Sequence, residues 1–244
     1  MDNFGPGTFG QRYAVGYDEA NELPDTTDTV DFLAGLAAGG PVLELAIGTG
    51  RIGLPLSARG LRVDGVEFSP EMVERLKAKP GGADLDVRIG DMADVPVSGR
   101  YKLIFVVYNT LFNLTTQDEQ VRCFGNVAEH LTQDGLFAIE CFVPTRYQGL
   151  REDQWTEVRN IGTDEVRIEA GRHDPVAQRL DKNHLSFVGG GVQLNPVVLR
   201  YAWPAELDLM ARLAGLRLQQ RHGGWHAEPF TGASRRHVSV YGRP

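Results

Sequence analysis

The chain has 244 residues, of which 42 % are hydrophobic and 23 % charged, an ordinary globular composition that excludes wholesale disorder and a coiled coil. Its 25 basic residues face 32 acidic ones, a formal net charge of −7, and no basic run exceeds two residues, which argues against a polynucleotide partner. At about 150 residues per domain, the length predicts one large domain, or one domain with an insert.

In chain order, residues 1–20 have little hydrophobic period but carry Phe4, Phe9, Tyr13 and Tyr17, an aromatic arm that either lids a site or packs on the surface. A helix is predicted over 26–38, with Val30, Leu33 and Leu36 on one face, stopped by Gly39-Gly40-Pro41. VLELAI (42–47) reads as a buried parallel strand, 51–60 as a helix and 61–68 as a second strand. Ser69-Pro70-Glu71 is a helix start: Ser as N-cap, Pro at the first helical position, an acid at the positive end of the dipole. Strands follow at 85–90 and 101–108. A helix over 116–131 begins with the capping-box pair Thr116 and Glu119, and a fifth strand spans 136–142. Strands alternating with helices predict a doubly wound, mostly parallel Rossmann-like α/β sheet.

After residue 150 the rhythm changes. Residues 155–161, 165–173, 180–188 and 192–203 read as strands without helices, with Gly189–Gly191 at a hairpin tip. A helix over 204–213 and strands at 216–221 and 237–243 return to the main sheet as an antiparallel edge addition. The organisation expected is a Rossmann-like domain of 1–150 and 204–244 and an antiparallel β insert of 151–203. The insert serves as a platform for substrate or for a second copy, because exposed strand edges invite partners. No apolar stretch approaches about 18 residues, so no membrane span is expected. The start MDNFGPGTFG lacks the charged and apolar regions of a signal peptide. Cys123 and Cys141 form no CxxC, so neither a disulfide framework nor a cysteine-based metal site is expected, and a reducing cytoplasm fits.

Glycine is the compositional outlier, with 29 residues where average usage gives roughly 17. The densest cluster is Glu44-Leu45-Ala46-Ile47-Gly48-Thr49-Gly50-Arg51, a turn between strand and helix where a ligand approaches backbone that a Cβ would block. Gly48-x-Gly50-x-x-Gly53, with Glu67 nineteen residues after Gly48, fits a dinucleotide fingerprint and so an NAD(P)-dependent oxidoreductase. Three features favour S-adenosylmethionine instead. Glu44 suits an ammonium and repels a pyrophosphate. Glu67 ends its strand where it accepts from both ribose hydroxyls, with Phe68 and Met72 beside an adenine. Asp91, after the third strand, accepts from the adenine amino group.

On ELAIGTGR, VEFSPEM and GDM, in this order and spacing, the chain resembles the class I S-adenosylmethionine-dependent methyltransferases. Within them it is similar to small actinobacterial natural-product enzymes, namely amino-sugar N,N-dimethyltransferases and cypemycin-type peptide α-N-methyltransferases. The residues that carry this likeness are Tyr17-Asp18, the turn Asn109-Thr110-Leu111-Phe112, the insert, and the stretches WPAELDLMARLAGL and GGWHAEPFTGASRRHVSVY. The resemblance implies that Gly48 and Gly50 contact the methionyl part, Glu67 the ribose, and Asp91 and Met92 the adenine, with Arg51 reaching the cofactor carboxylate. Ala46 stands where the family often has Gly. Ala46, Tyr17 and Tyr108 complete the expected cofactor contacts. Asn113 stands where the amino-sugar enzymes carry a histidine, and it cannot act as a base.

The expected activity is methyl transfer from S-adenosylmethionine, leaving S-adenosylhomocysteine, to an N or O of a small molecule or short peptide; the resemblance implies specialised metabolism. A non-catalytic relative that binds the cofactor is a further alternative. Tyr108 and His226 are the candidate catalytic groups. Tyr13, Asn109, Asn113, Arg146 and Trp225 are the candidate acceptor contacts, with Glu140, His173, His184 and Glu228 as further polar groups. No motif of metal-ligand spacing appears.

Overall fold

The computed structural model describes residues 25–150 and 153–244; the aromatic arm, with Tyr13 and Tyr17, lies outside them. The first half alternates β1 (Val42–Leu45), α2 (Gly53–Ala58), β2 (Val63–Glu67), α3 (Pro70–Lys77), β3 (Asp86–Ile89), β4 (Tyr101–Val106), α4 (Gln117–His130) and β5 (Leu131–Phe142), preceded by α1 (Thr26–Ala37). The chain closes with α5 (Pro204–Leu213), β10 (Arg217–His222) and β11 (Arg236–Gly242). The main sheet has the order β10-β11-β5-β4-β1-β2-β3. Strands β1 to β5 pair in parallel, and β11 runs antiparallel to both β5 and β10. The antiparallel addition expected at the edge is therefore a pair of strands.

The sheet has two cores because its strand residues alternate between faces. Ile104 and Val106 of β4 join Phe124 and Val127 of α4 and Leu207 and Met210 of α5. Leu103 and Phe105, the intervening residues, join Val30 and Leu33 of α1, Leu56 of α2 and Leu76 of α3. Burying each of these side chains contributes roughly 1.5–3 kcal/mol. The caps read in the sequence are present. Met72 N donates to Ser69 Oγ at 3.2 Å, and Thr116 and Glu119 exchange hydrogen bonds of 3.2 and 3.0 Å. The 51–60 helix is shorter than expected, at 53–58, because residues 46–52 are used by the turn. Strand β5 begins at Leu131, five residues before the expected start, directly after α4.

Residues 154–200 form a separate four-stranded antiparallel sheet in the order β6-β7-β8-β9, comprising Gln154–Ile161, Glu165–Asp174, Arg179–Val188 and Gly191–Arg200. Gly189 and Gly190, with φ of +59° and +78°, make the two-residue turn between β8 and β9, where both central residues need positive φ. Arg200 fastens this sheet to the main one. Its guanidinium donates to Gln120 Oε1 at 2.7 Å and Glu206 Oε1 at 2.7 Å, while Gln120 Nε2 donates to the Arg200 carbonyl at 2.8 Å. Among the described residues no helix is long and apolar enough to cross a membrane.

Candidate functional site

The turn after β1 takes three left-handed residues in five positions: Ala46 (φ +56°), Gly48 (+58°) and Gly50 (+81°). The glycines differ in what a Cβ would meet. At Gly48 nothing lies closer than the Ala46 carbonyl at 4.0 Å, so its free side is open. At Gly50 a Cβ would meet Leu54 at 2.9 Å, and at Gly53 it would meet Glu44 Oε2 at 2.8 Å, so these two serve packing. Gly48 therefore exposes backbone to the cavity, while Gly50 and Gly53 let the next segment settle on β1.

Two carboxylates frame this turn. Glu67, at the end of β2, accepts from Gly48 N at 2.8 Å through one oxygen and from Ser69 N at 2.9 Å through the other. Burial pushes its pKa up, and the backbone amides of Ser69 and Gly48 pull it back. Glu44 is buried on β1, and its Oε2 has no hydrogen-bond partner. It lines a small space of about 40 Å³ shared with Gly48, Arg51 and Tyr108. Burial raises its carboxyl well above the usual range, against the opposing pull of Arg51. A buried, half-satisfied carboxylate beside exposed backbone fits a cationic group on a ligand.

Beyond β4 the backbone stays in the left-handed region for two consecutive residues, Tyr108 (φ +57°) and Asn109 (φ +64°). Such geometry persists where neighbours over-determine it. Glu140 Oε2, on β5, accepts from Tyr108 N at 2.8 Å, and Asn109 Oδ1 accepts from Phe142 N at 2.5 Å. The Arg51 guanidinium lies 4.0 Å from the centre of the Tyr108 ring. Burial pushes the Tyr108 phenol up, so it stays protonated at neutral pH.

These elements open on one cavity of about 840 Å³, large enough for a cofactor and a second molecule. Ala46, Gly48, Arg51 and Glu67 line its first end. Phe68, Met72, Asp91 and Met92 continue that wall, with Asp91 Oδ1 accepting from Ala93 N at 2.8 Å. Tyr108, Asn109 and Asn113 line its middle. Its far end is made by Arg146 and by the second sheet, through Arg159, Arg179, Lys182 and His184. Behind that wall lies Glu169, 1 % exposed, which accepts from Arg159 at 2.9 Å and Lys182 at 3.3 Å and has Arg146 at 3.6 Å. Burial opposes its ionisation, but the surrounding cations, Lys182 first, hold its pKa down to about 2.

Most of the sequence-selected residues thus meet in one place, and Gly50, Glu140, His173, Trp225, His226 and Glu228 do not line it: Glu140 braces Tyr108 from behind, and Glu228 accepts from His226 N at 3.0 Å. Gly50 turns inward, as above. Trp225 is buried on the α1 side, edge-on to Phe32 at 5.6 Å between ring centres, because the 223–230 loop folds onto α1. His226 is exposed and pairs with Asp28 at 3.1 Å, away from the residues lining the cavity. Neither Trp225, expected as an acceptor contact, nor His226, expected as a catalytic group, lines the cavity. His173 is held by Tyr201 at 2.9 Å and is also outside the lining. Sequence reading missed Arg159, Arg179, Lys182 and Arg235. The available signal was the two-residue spacing of Lys182 and His184, which sets them on one face of a strand.

Residues 42–135 match a family profile described as a methyltransferase domain. The chain is 40 % identical to the CcbJ methyltransferase from Streptomyces caelestis, whose solved structure superposes with a TM-score of 0.92 over 98 % of this chain and 99 % of that one. It is 28 % identical to the cypemycin N-terminal methyltransferase of a Streptomyces species over 207 residues, 84 % of each protein. An S-adenosylmethionine-dependent methyltransferase from Clostridium acetobutylicum, 15 % identical, shares the fold with a TM-score of 0.79 over 96 % of this chain and 98 % of that one.

Proposed function

The chain belongs to the S-adenosylmethionine-dependent methyltransferases, and on that premise we propose that it methylates an amine nitrogen of a small molecule or short peptide of specialised metabolism. The family's cofactor sets aside the nicotinamide reading of the same glycine spacing. The observation that carries the proposal is the single cavity, with the glycine turn at one end and the second sheet at the other.

The residues at the first end fit the cofactor. The unpartnered Glu44 Oε2 suits the methionyl ammonium, and the open side of Gly48 lets the methionyl chain lie on backbone. Glu67, already oriented by two amides, keeps lone pairs for ribose hydroxyls. Phe68, Met72 and Met92 supply an apolar bed for the adenine, and Asp91 an acceptor for its amino group. When bound, S-adenosylmethionine supplies a sulfonium-activated methyl group that an incoming lone pair displaces in line.

The protein's remaining work is to align the acceptor as a neutral amine and exclude water. The rigid Tyr108-Asn109 turn sets the wall between the two ends. The phenol of Tyr108 stays neutral and protonated, so it is a poor base. Burial, reinforced by Lys182, pushes the His184 imidazole on the far wall down, so it is neutral at pH 7 and adds no anionic base to the cavity. A phenol or alcohol acceptor asks for a stronger base than this wall offers, which favours an amine.

The test is a mass-spectrometric screen of matched amines, phenols and alcohols with S-adenosylmethionine. A gain of one or two methyl groups on amines alone is the expected result. Methylation confined to oxygen acceptors overturns the amine reading.

A further inference from the structure

The charges that line the cavity are unevenly spread. At the end assigned to the cofactor the acids Glu67 and Asp91 stand beside the cation Arg51, with Glu44 just beneath. The far end presents Arg146, Arg159, Arg179, Lys182 and Arg235. Arg179 pairs with Asp181, while Arg146, Arg159 and Lys182 share Glu157 and Glu169, and none of these acids lines the cavity. With Arg235, two positive charges are left over in a chain whose overall balance is −7. A framework that only held strands together would have no reason to over-supply cations on the cavity side.

The pairing geometry turns these cations toward the cavity. Glu169 sits behind the wall and draws Arg159 and Lys182 to one of its edges, which fixes their stems. Lys182 is 13 % exposed, and of its three N–H donors one is directed to Glu169 at 3.3 Å. Arg235 is exposed on the cavity rim with no ion pair among the described residues. A desolvated ammonium beside a guanidinium fork is a strong receptor for an anion with two or more oxygens.

Resting on the methyltransferase reading, we propose that the acceptor carries an anionic oxygen group, a carboxylate or phosphate, which docks on Arg159, Lys182, Arg146 and Arg235. The charge layout gives such a molecule one orientation. Its anion is drawn to the far wall, and the opposite end reaches past Asn109 and Asn113 toward the glycine turn. The same wall repels a plain ammonium, so it favours an acceptor that brings its own compensating charge. It also favours the unprotonated amine that the reaction needs.

The experiment is thermal unfolding of the S-adenosylhomocysteine-loaded protein, titrated separately with acetate, succinate and inorganic phosphate at constant ionic strength in chloride. A saturable rise with one of these anions is expected; the better series, carboxylate or phosphate, identifies the group. Lys182→Gln weakens the apparent affinity about tenfold, as the loss of a charge-assisted hydrogen bond implies. Arg235→Gln, which disturbs no described ion pair, weakens it less, by about threefold. Glu169→Gln, which removes the competing buried acid, strengthens it. Arg167→Gln, on a pair with Glu165 outside the cavity lining, leaves it unchanged. Shifts no larger than those in chloride, or Lys182→Gln and Arg235→Gln titrating like Arg167→Gln, overturn the subsite. Loss of the S-adenosylhomocysteine shift itself overturns the methyltransferase reading instead.

Discussion

At one end of the cavity the surface is largely backbone: a left-handed turn at Ala46, Gly48 and Gly50, braced by Glu67 through the Gly48 amide. At the other end it is side chain: Arg159, Arg179, Lys182 and His184 standing on two strands of the antiparallel sheet, with Arg159 and Lys182 held from behind by Glu169. A backbone surface tolerates little variation, because φ and a missing Cβ are what it offers. A side-chain surface on a regular sheet changes residue by residue without disturbing the fold. On the proposed reading, the difference assigns each task its place: a shared cofactor at the first, acceptor choice at the second.

The sharpest way to break this contrast is Glu67→Ala. It removes two amide partners and the ribose acceptor together, so S-adenosylhomocysteine affinity by calorimetry falls about 100-fold or more. A fall of less than about threefold removes Glu67 from that role. At the opposite end, Lys182→Gln raises the acceptor KM about tenfold and leaves S-adenosylhomocysteine affinity unchanged. A loss of cofactor affinity in this variant erases the division of labour.

Glu44→Gln tests the buried acid. The folded pKa of Glu44 is raised well above its ordinary 4.5, so the folded protein keeps a proton that the unfolded chain releases. Its contribution to stability therefore declines as pH rises from 4.5 through the folded pKa. Glu44→Gln stabilises the ligand-free protein at neutral pH by about 2 kcal/mol while weakening the cofactor about tenfold. In the native protein, cofactor binding releases a proton in calorimetry across buffers of different ionisation enthalpy, because the ammonium favours ionised Glu44. The smallest effect is expected for Ala46→Gly. It relieves a left-handed alanine and raises stability by about 0.5 kcal/mol, net of the greater freedom of glycine in the unfolded chain.

The same contrast explains what was legible in the sequence. The glycine turn, the Ser69 and Thr116 caps and the alternation of strands are local, and residues a few positions apart decide them. Glu44, Glu67 and Asp91 could be selected because each stands at or near the C-terminal end of a strand. The far wall depends on how ten-residue strands register against one another, with Lys182 opposite Gly171 and Val197. Nothing within a few residues of Arg159 or Lys182 says that both approach Glu169. Trp225 and His226 lie outside the cavity lining for a related reason: a Gly-rich loop with an aromatic and a histidine resembles a site, but α1 offers Phe32 and Asp28 as partners. The start of β5 was missed because Thr132, Gln133 and Asp134 are polar, while the hydrogen-bond register to β4 begins at Leu131.

The central claim is that the glycine turn holds S-adenosylmethionine. Its most direct test is thermal unfolding with S-adenosylhomocysteine, NAD and NADP in parallel. At about 100 times its dissociation constant a ligand adds roughly 2.7 kcal/mol, which for a chain of this size is about 5–10 °C. The account predicts that rise with S-adenosylhomocysteine and none with either dinucleotide; a rise with NAD or NADP and none with S-adenosylhomocysteine would contradict it.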